Sequence, residues 1–205
     1  MSTLALWREK LGYQPLSLGI IAMITSAALA FGNQVTHDGI RKAEELDLKA
    51  SLAQVLPEGF ADNDLLKDTM KINGADGKPV TLYRARKAGA VTGTVFQVSS
   101  RGYAGEIVVL IGIDHEGKML GARVIKHQET PGLGDKIDVA KSKWVLDFDG
   151  KSLTSPPAEK WAVKKDGGAF DQFAGATITP RAVMKAVKGG LEFFAAHQQE
   201  ILQGS

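Results

Sequence analysis

The sequence predicts an α+β protein with a single N-terminal transmembrane helix followed by a mainly antiparallel sheet with flanking helices. The 26 residues from Leu11 to Thr36 contain no Asp, Glu, Lys, Arg or His. Four strand-like runs then follow one another through short turns, and the chain closes on one helix with an apolar stripe. Consecutive strands joined by short turns are typical of an antiparallel meander and not of a doubly wound parallel sheet.

The uncharged segment is long enough to cross a bilayer. Its 26 residues would extend about 39 Å as a helix, against a hydrocarbon core of about 30 Å. Because Arg8 and Lys10 precede it, the positive-inside rule predicts a cytoplasmic N-terminus and a domain on the far side. A cleaved signal peptide is the alternative, since Ala28-Leu29-Ala30 resembles a cleavage site. The length of the run favours a retained anchor.

The segment after the anchor predicts a helical connector. His37–Leu56 has apolar residues at helical spacing and is expected to end at Pro57-Glu58-Gly59. Phe60–Asn73 predicts a polar connector or weak helix, and residues 74–79 predict a turn. We therefore divide the chain into a cytoplasmic tail and anchor (1–36), a helical connector (37–79) and a folded domain (80–205).

The folded domain begins with strands and ends with a helix. The predicted strands are Val80–Arg86, Ala90–Val98, Gly105–Asp114 and Lys118–His127. Asp135–Trp144 predicts a helix, and Trp161–Gly168 predicts a further strand and turn. For the last helix, Thr179 is the expected N-cap and Pro180 the first residue. Its apolar stripe is Val183, Val187, Leu191 and Phe194.

Composition excludes several classes of function. The chain has no Cys, so it holds no disulfide, iron–sulfur cluster or thiolate zinc site. Its four histidines are scattered, which disfavours a histidine metal site. The net charge of +2 comes without a basic run, and this disfavours nucleic-acid binding. No nucleophile–base pair or carboxylate dyad is evident, so no catalytic residue is predicted.

Two segments combine small residues with positions next to a predicted helix. In His127–Asp135, Pro131, Gly132 and Gly134 allow the backbone to approach a flat or anionic ligand closely. In Asp171–Pro180, small residues leave Thr177 uncrowded beside a helix start, where an anion would meet free N–H groups. Taken singly, each is better interpreted as a connector or turn. The first lacks the glycine patterns of dinucleotide and phosphate loops.

Together with Trp161–Asp171, the two segments resemble one family. The sequences HQETPGLGD (127–135), WAVKKDGGAFD (161–171) and GATITP (175–180) resemble the membrane-bound flavoprotein G subunit of the Rnf electron-transport complex. The C subunit of the sodium-pumping NADH:quinone reductase is a related protein. The resemblance runs from the anchor to the last helix. It implies an electron-relay subunit of a bacterial inner-membrane complex that couples ferredoxin–NAD electron transfer to ion transport, with the folded domain in the periplasm.

The resemblance also implies a covalent flavin. In that family, the motif Asp-x-x-Ser/Thr-Gly-Ala-Thr is the signal at which a flavin transferase takes FAD and joins its FMN part, through the phosphate, to the last threonine. Carried over, Asp171, Gly175 and Ala176 match the motif, and Thr177 is the attachment residue. Ala174 departs from it, because the family has Ser or Thr there.

Other residues are expected around the flavin. Glu129, Thr130, Pro131, Gly132, Leu133 and Gly134 would form a wall for the isoalloxazine. Trp161 would pack near the ring, and Lys164 or Lys165 would balance the phosphate, although a core tryptophan and solvated lysines are the commoner explanations. His127, Phe193 and Phe194 are interpreted as structural. A flavin-free, membrane-anchored ligand-binding or assembly module is the alternative function.

Overall fold

The computed structural model describes residues 13–74 and 77–203, with the backbone alone for Tyr13, Gln14 and Glu44. Arg8 and Lys10, on which the predicted orientation in the membrane depends, lie outside the described residues. The turn predicted at 74–79 is described except for residues 75 and 76. The chain divides into two compact units, Met1–Asp47 and Leu48–Ser205.

The first long element is α1, Tyr13–Gln54. It joins the predicted anchor and the predicted amphipathic helix without a break, and it ends two residues before the predicted Leu56. Within the described residues, α1 is the one helix long and apolar enough to cross a membrane. Its large apolar side chains from Leu16 to Phe31 are exposed, as expected for a surface that packs against lipid or other helices.

The second unit is built on an antiparallel sheet. In the described part of the chain its five strands run in sequence order, as a meander. They are β1 (Thr69–Asn73), β2 (Pro79–Lys87), β3 (Ala90–Arg101), β4 (Glu106–Asp114) and β5 (Met119–Lys126). The four strands predicted from alternating or continuous apolar runs are thus confirmed, with ends that shift by at most three residues.

Strand β1 corrects the prediction for Phe60–Asn73. That segment was expected to be a polar connector or weak helix, but its last five residues pair with β2 from Thr69↔Tyr83 to Asn73↔Pro79. Alternate side chains explain the strand, because Ile72 is buried and Met70 packs against the same core. The sheet therefore begins inside the segment predicted as a helical connector.

Strands β2 and β3 separate at one end of the sheet. They pair from Lys87↔Ala90 to Leu82↔Phe96. Beyond this point Pro79–Thr81 pairs with β1, while β3 continues along β4 as far as Arg101↔Glu106. A cleft therefore lies between the first three residues of β2 and the last five residues of β3.

One face of the sheet packs against the C-terminal helix α2, Ile178–Gln203. The predicted stripe is confirmed, because its four residues are all buried: Val183, Val187, Leu191 and Phe194. The predicted start is wrong in detail, since the helix begins at Ile178. Thr179 is consequently its second residue and Pro180 its third.

The region between β5 and α2 is irregular. Its short 3-10 helices among the described residues are Gly134–Ile137, Trp144–Phe148, Ala158–Lys160 and Lys164–Asp166. The prediction of a helix over Asp135–Trp144 is wrong, since only short 3-10 helices lie at its two ends. The Ser142 hydroxyl donates to the carbonyl of Lys136, and such a bond competes with helical hydrogen bonding. The strand predicted over Trp161–Gly168 reduces to a single bridge between Val163 and Phe170, around a 3-10 turn.

The opposite face of the sheet packs against the end of α1. Leu52 and Val55 are buried against Val95 and Leu110. Directly paired glycines on β4 and β5, Gly112 and Gly121, make this approach possible. An added Cβ would lie 2.7 Å from the carbonyl oxygen of Val55 at Gly112 and 3.0 Å from the same oxygen at Gly121.

Candidate functional site

A cavity of about 290 Å³ lies beside the start of α2. Three chain segments form it: the β3–β4 turn, the loop after β5, and the turn that leads into α2. Its lining residues are Tyr103, Glu129, Thr130, Leu133, Gly134, Gly175, Ala176, Thr177, Ile178 and Thr179. The cavity therefore brings together both segments that the sequence singled out.

The loop after β5 is shaped by a tight turn. The carbonyl oxygen of Thr130 accepts hydrogen bonds from the N–H groups of Leu133 (3.2 Å) and Gly134 (3.1 Å). Gly132 has a φ of 79°, and Pro at the second position with such a glycine at the third is the pattern of a type II turn. Pro131 and Gly132 thus form the outside of the turn, while Leu133 and Gly134 reach the cavity.

A second turn leads into α2. The N–H of Ala176 donates to the carbonyl of Phe173 at 3.3 Å, and Gly175 has a φ of 82°. A Cβ added at Gly175 would lie 3.3 Å from Cδ2 of Leu133, so the two turns lie close together. Ala174, where the family motif has Ser or Thr, is exposed on this turn.

Glu129 is a buried carboxylate at the centre of the site. Its side chain is 5% exposed, and its Oε1 accepts the N–H of Ala104 at 3.1 Å. Its Oε2 accepts the hydroxyl of Thr179. Added Cβ atoms would lie 2.5 Å from Oε1 at Gly102 and 3.0 Å from Oε2 at Gly134. Glu129 therefore connects the β3–β4 turn, the loop after β5 and the first turn of α2.

The cavity contains three threonines, and their hydroxyls differ. Thr179 is 1% exposed and its hydroxyl donates to Glu129, so it does not act as the predicted N-cap. Thr177 is half-buried and directly precedes α2. Among the described residues no hydrogen-bond partner of the Thr177 or Thr130 hydroxyl is found. Of these two, Thr177 lies at the positive end of the helix dipole, beside the unbonded N–H groups of the first turn.

Trp161, expected near the flavin, lies away from the cavity. Its ring packs against Phe148 and Phe170, with centroids 6.0 and 5.2 Å apart. Its indole N–H donates to the carbonyl of Ser152 at 3.0 Å. The structure therefore places Trp161 in an aromatic core.

The expected phosphate partners also lie outside the cavity lining. Lys164 and Asp171 form an exposed ion pair with an Nζ–Oδ1 distance of 2.6 Å. Lys165 is exposed on the same 3-10 turn, and Asp166 in this turn pairs with Arg181 of α2. The hydrogen bond from Arg181 holds the pKa of the Asp166 carboxyl below its ordinary value. These pairs tie the turn to neighbouring segments and to α2.

The three residues interpreted as structural from the sequence make hydrogen-bond or packing contacts within the fold. The Nδ1 of His127 accepts the N–H of Glu129 at 3.2 Å, which fixes the backbone before the loop. The ring of Phe193 packs on Phe96 with centroids 5.6 Å apart. The third such residue, Phe194, is buried in the stripe of α2.

Sequence reasoning missed Tyr103, Ile178 and Thr179 as lining residues. Tyr103 is 71% exposed on the β3–β4 turn, beside the cavity. A large aromatic residue within Gly102-Tyr103-Ala104-Gly105 is the signal that could have found it, because such a turn presents its side chains to solvent. Ile178 could be found only once the start of α2 was known.

The fold and the site together define an FMN-binding domain, and the FMN-binding domain family matches residues 102–192. This range contains every residue that lines the cavity. The chain belongs to the family of G subunits of ion-translocating oxidoreductase complexes. It is 53% identical to the Stutzerimonas stutzeri member over 92% of this chain and 83% of the relative. It is 44% identical to the Cereibacter sphaeroides (strain ATCC 17023) member over 96% and 90%.

A solved structure shows the same fold. The crystal structure of Shewanella oneidensis NqrC superposes with a TM-score of 0.50 and 20% sequence identity. The match covers 72% of this chain and 74% of that chain. At this identity the likeness concerns the fold alone.

Proposed function

We propose that the chain is an electron-relay subunit that carries FMN as a phosphoester of Thr177. It would act in a membrane complex that couples ferredoxin–NAD electron transfer to ion transport. Family membership and the FMN-binding domain support this role. The observation that carries the attachment site is the position of Thr177 on a cavity, directly before a long helix.

The residues present fit this cofactor. A threonyl phosphodiester keeps one negative charge, which the first turn of α2 stabilises through its N–H groups and dipole. The cavity, about 290 Å³, is near the lower end of the range for small-molecule sites, roughly 300–1,000 Å³. It therefore suits one part of the flavin, with the rest at the surface beside Tyr103. When bound, FMN would supply the electron-transfer chemistry.

The chain's own residues position the cofactor and limit water. Leu133 and Ile178 give the cavity apolar sides, and the backbone of Thr130–Gly134 offers a close wall. Glu129 holds the three wall segments together through Ala104 and Thr179. The role of Trp161 and of Lys164 or Lys165 is then indirect, through the packing of the 3-10 region.

The hydroxyl geometry supports Thr177 over the neighbouring threonine. The Thr179 hydroxyl is buried and engaged by Glu129, whereas the Thr177 hydroxyl borders the cavity. A flavin transferase would be the partner during maturation. Because Ala174 is exposed, a hydroxyl at this position of the family motif would be recognised from outside the cavity.

For the membrane arrangement, we propose a single-pass inner-membrane protein with a cytoplasmic N-terminus and a periplasmic domain. The assignment of 1–36 to tail and anchor, 37–79 to a connector and 80–205 to the FMN-binding domain belongs to this proposal. The apolar character of α1 supports the span. Neighbouring membrane subunits of the complex would be the partners in electron transfer.

The attachment site is tested by coexpressing the chain with a flavin transferase. Wild-type chain should give a fluorescent band in a denaturing gel and a mass gain of one FMN less one water. Thr177→Val should lose both, since no hydroxyl remains to form the ester. Thr177→Ser is the matched control and should keep partial modification.

A second control is Thr130→Val, which removes another hydroxyl of the same cavity and should keep the flavin. Flavin retained at wild-type stoichiometry in Thr177→Val, or a modified peptide that maps to Thr179, would disprove the assignment. A dark wild-type band would instead favour the flavin-free anchored module.

A further inference from the structure

The cleft between β2 and β3 exposes an unpaired strand edge. From Gln97 to Arg101, β3 pairs with β4 on one side. On its other side, within 13–74 and 77–203, no strand pairs with these five residues. In an antiparallel strand, successive residues direct their N–H and C=O groups to opposite sides. The open side therefore presents a regular row of backbone donors and acceptors.

From Gln97 to Ser100 this edge lacks the features that normally block strand addition, and its one charged residue, Arg101, lies at the end. Proline, a bulge or an inward-pointing charge usually protects an exposed edge. Gln97–Arg101 contains no proline, and its register with β4 runs without a shift. The proline of the cleft, Pro79, belongs to the diverging strand β2.

The two faces of the cleft differ in polarity. Toward α2 it opens into a cavity of about 760 Å³ whose lining includes Val80, Phe96, Val98 and Phe193. On the opposite face it opens into a cavity of about 430 Å³ whose lining is more polar and includes Thr81, Gln97, Ser99 and Glu106. A strand with apolar and polar side chains in alternation matches both faces at once.

We propose that Gln97–Arg101 binds an extended segment of a neighbouring subunit, which adds a strand to the open edge of β3. The main chain of that segment supplies the hydrogen bonds, and its alternate apolar side chains enter the cavity under α2. The inference rests on the proposed place of this chain in a multi-subunit complex. It concerns a surface lined by residues other than those of the flavin cavity.

Residue-resolved amide exchange tests the proposal, with the isolated chain compared with the purified complex. In the isolated chain, alternate amides of Gln97–Arg101 should exchange fast and those bonded to β4 should exchange slowly. In the complex, the fast set should slow at least tenfold. The outer edge of β1, Thr69–Asn73, is the internal control and should keep its rate.

Two outcomes would overturn the proposal. One is a fast set whose exchange is unchanged in the complex. The other is a fast set that slows with concentration in the isolated chain, which would identify a second copy as the occupant. Flavin fluorescence of the same samples reports the proposed function separately, so the two failures are distinguishable.

A pair of proline variants gives a second test. Of the adjacent Ser99 and Ser100, one bonds to β4 and the other faces the open side, and the exchange data identify which. Of Ser99→Pro and Ser100→Pro, the variant at the open-side residue should leave the thermal transition and flavin content near wild type but reduce retention in the complex at least fivefold. The variant at the residue bonded to β4 should unfold the end of the sheet. Full retention of the open-side variant would contradict strand addition.

Discussion

At the scale of single residues, Glu129 and Thr179 organise the site. They are 50 residues apart in the chain, yet their side chains share a buried hydrogen bond. The glycines at 102 and 134 leave the space that the carboxylate fills. The site therefore depends on residues that need not touch a ligand.

We expect Thr179→Val to lower the free energy of unfolding by about 1–3 kcal/mol, because it leaves a buried carboxylate oxygen without its donor. Urea denaturation of the detergent-solubilised chain measures this. Thr179→Ser keeps the hydroxyl and is the matched control. No loss in Thr179→Val together with a loss in Thr179→Ser would show that packing of the methyl group, and not the hydrogen bond, stabilises this contact.

The candidate site could be predicted only in part from the sequence. The two loops that line the cavity were found because glycine and proline mark special backbone conformations. The link between Glu129 and Thr179 was missed, since a Thr-Pro pair alone predicts a helix cap. The partner of Thr179 lies far away in sequence, so local pattern could not identify it.

At the scale of elements, two adjacent glycines of α2 have opposite surroundings, and one of them sets how closely the helix approaches the sheet. Gly189 faces open space, with nothing within 4 Å of an added Cβ. At Gly190, an added Cβ would overlap Cδ1 of Ile111 and would lie 2.8 Å from Cγ1 of Val98. Close approach of the helix to the sheet thus depends on Gly190.

Alanine substitutions at these two glycines should change the stability of the fold in opposite directions. Gly189→Ala should stabilise the chain by about 0.5–1 kcal/mol, because alanine favours the helix. Gly190→Ala should destabilise it by about 1–3 kcal/mol through overpacking. Urea denaturation of the two variants side by side is the measurement. Stabilisation by both would mean that α2 can move away from β3 and β4 at little cost.

An ion network joins the segment before β1 to β2. The carboxylate of Asp68 lies 2.6 Å from Arg84 and 2.5 Å from Arg86, and Arg84 is buried. Burial alone would raise the pKa of Asp68, but hydrogen bonds from Arg86 and Arg84, with their charges, hold the pKa below its ordinary value of 3.8. The folded state therefore favours the charged carboxylate.

The network predicts a pH dependence. A carboxyl whose pKa is lower in the folded state stabilises the fold above its unfolded pKa, and this contribution is lost as pH falls through the folded pKa. Asp68→Asn should therefore cost about 3 kcal/mol at neutral pH. The difference from wild type should shrink below a pH of about 4. Denaturation at several pH values checks this, and a difference independent of pH would contradict it.

The elements themselves were predicted unevenly. The continuous apolar run of β4 and the stripe of α2 are visible in the local sequence, so their pattern identified them. The region between β5 and α2 has no such pattern, because its conformation is set by an aromatic core. There the indole of Trp144 donates to the carbonyl of Asp171, 27 residues away. Such contacts between distant residues produce no periodic pattern in the local sequence.

At the scale of the whole molecule, orientation in the membrane is the main expectation. A reporter active only outside the cytoplasm, fused after Ser205, should be active, because Arg8 and Lys10 precede the span. Activity of a cytoplasmic reporter alone at the same position would contradict this orientation.

The chain should also stay in the membrane after a high-salt wash, since the apolar span and not charge holds it.

The glycine pair beneath the end of α1 makes tolerance to substitution unequal. At Gly112 and Gly121 the sheet meets the main chain of Val55, not its side chain. The Val55 carbonyl fills the space above the two glycines, while the buried Val55 side chain packs against Val95 and Leu110. A methyl group at Gly112 would meet this carbonyl at 2.7 Å, whereas at Gly121 a shift of a few tenths of an ångström would relieve the contact. Position 112 therefore has the least freedom to vary in sequence at this junction.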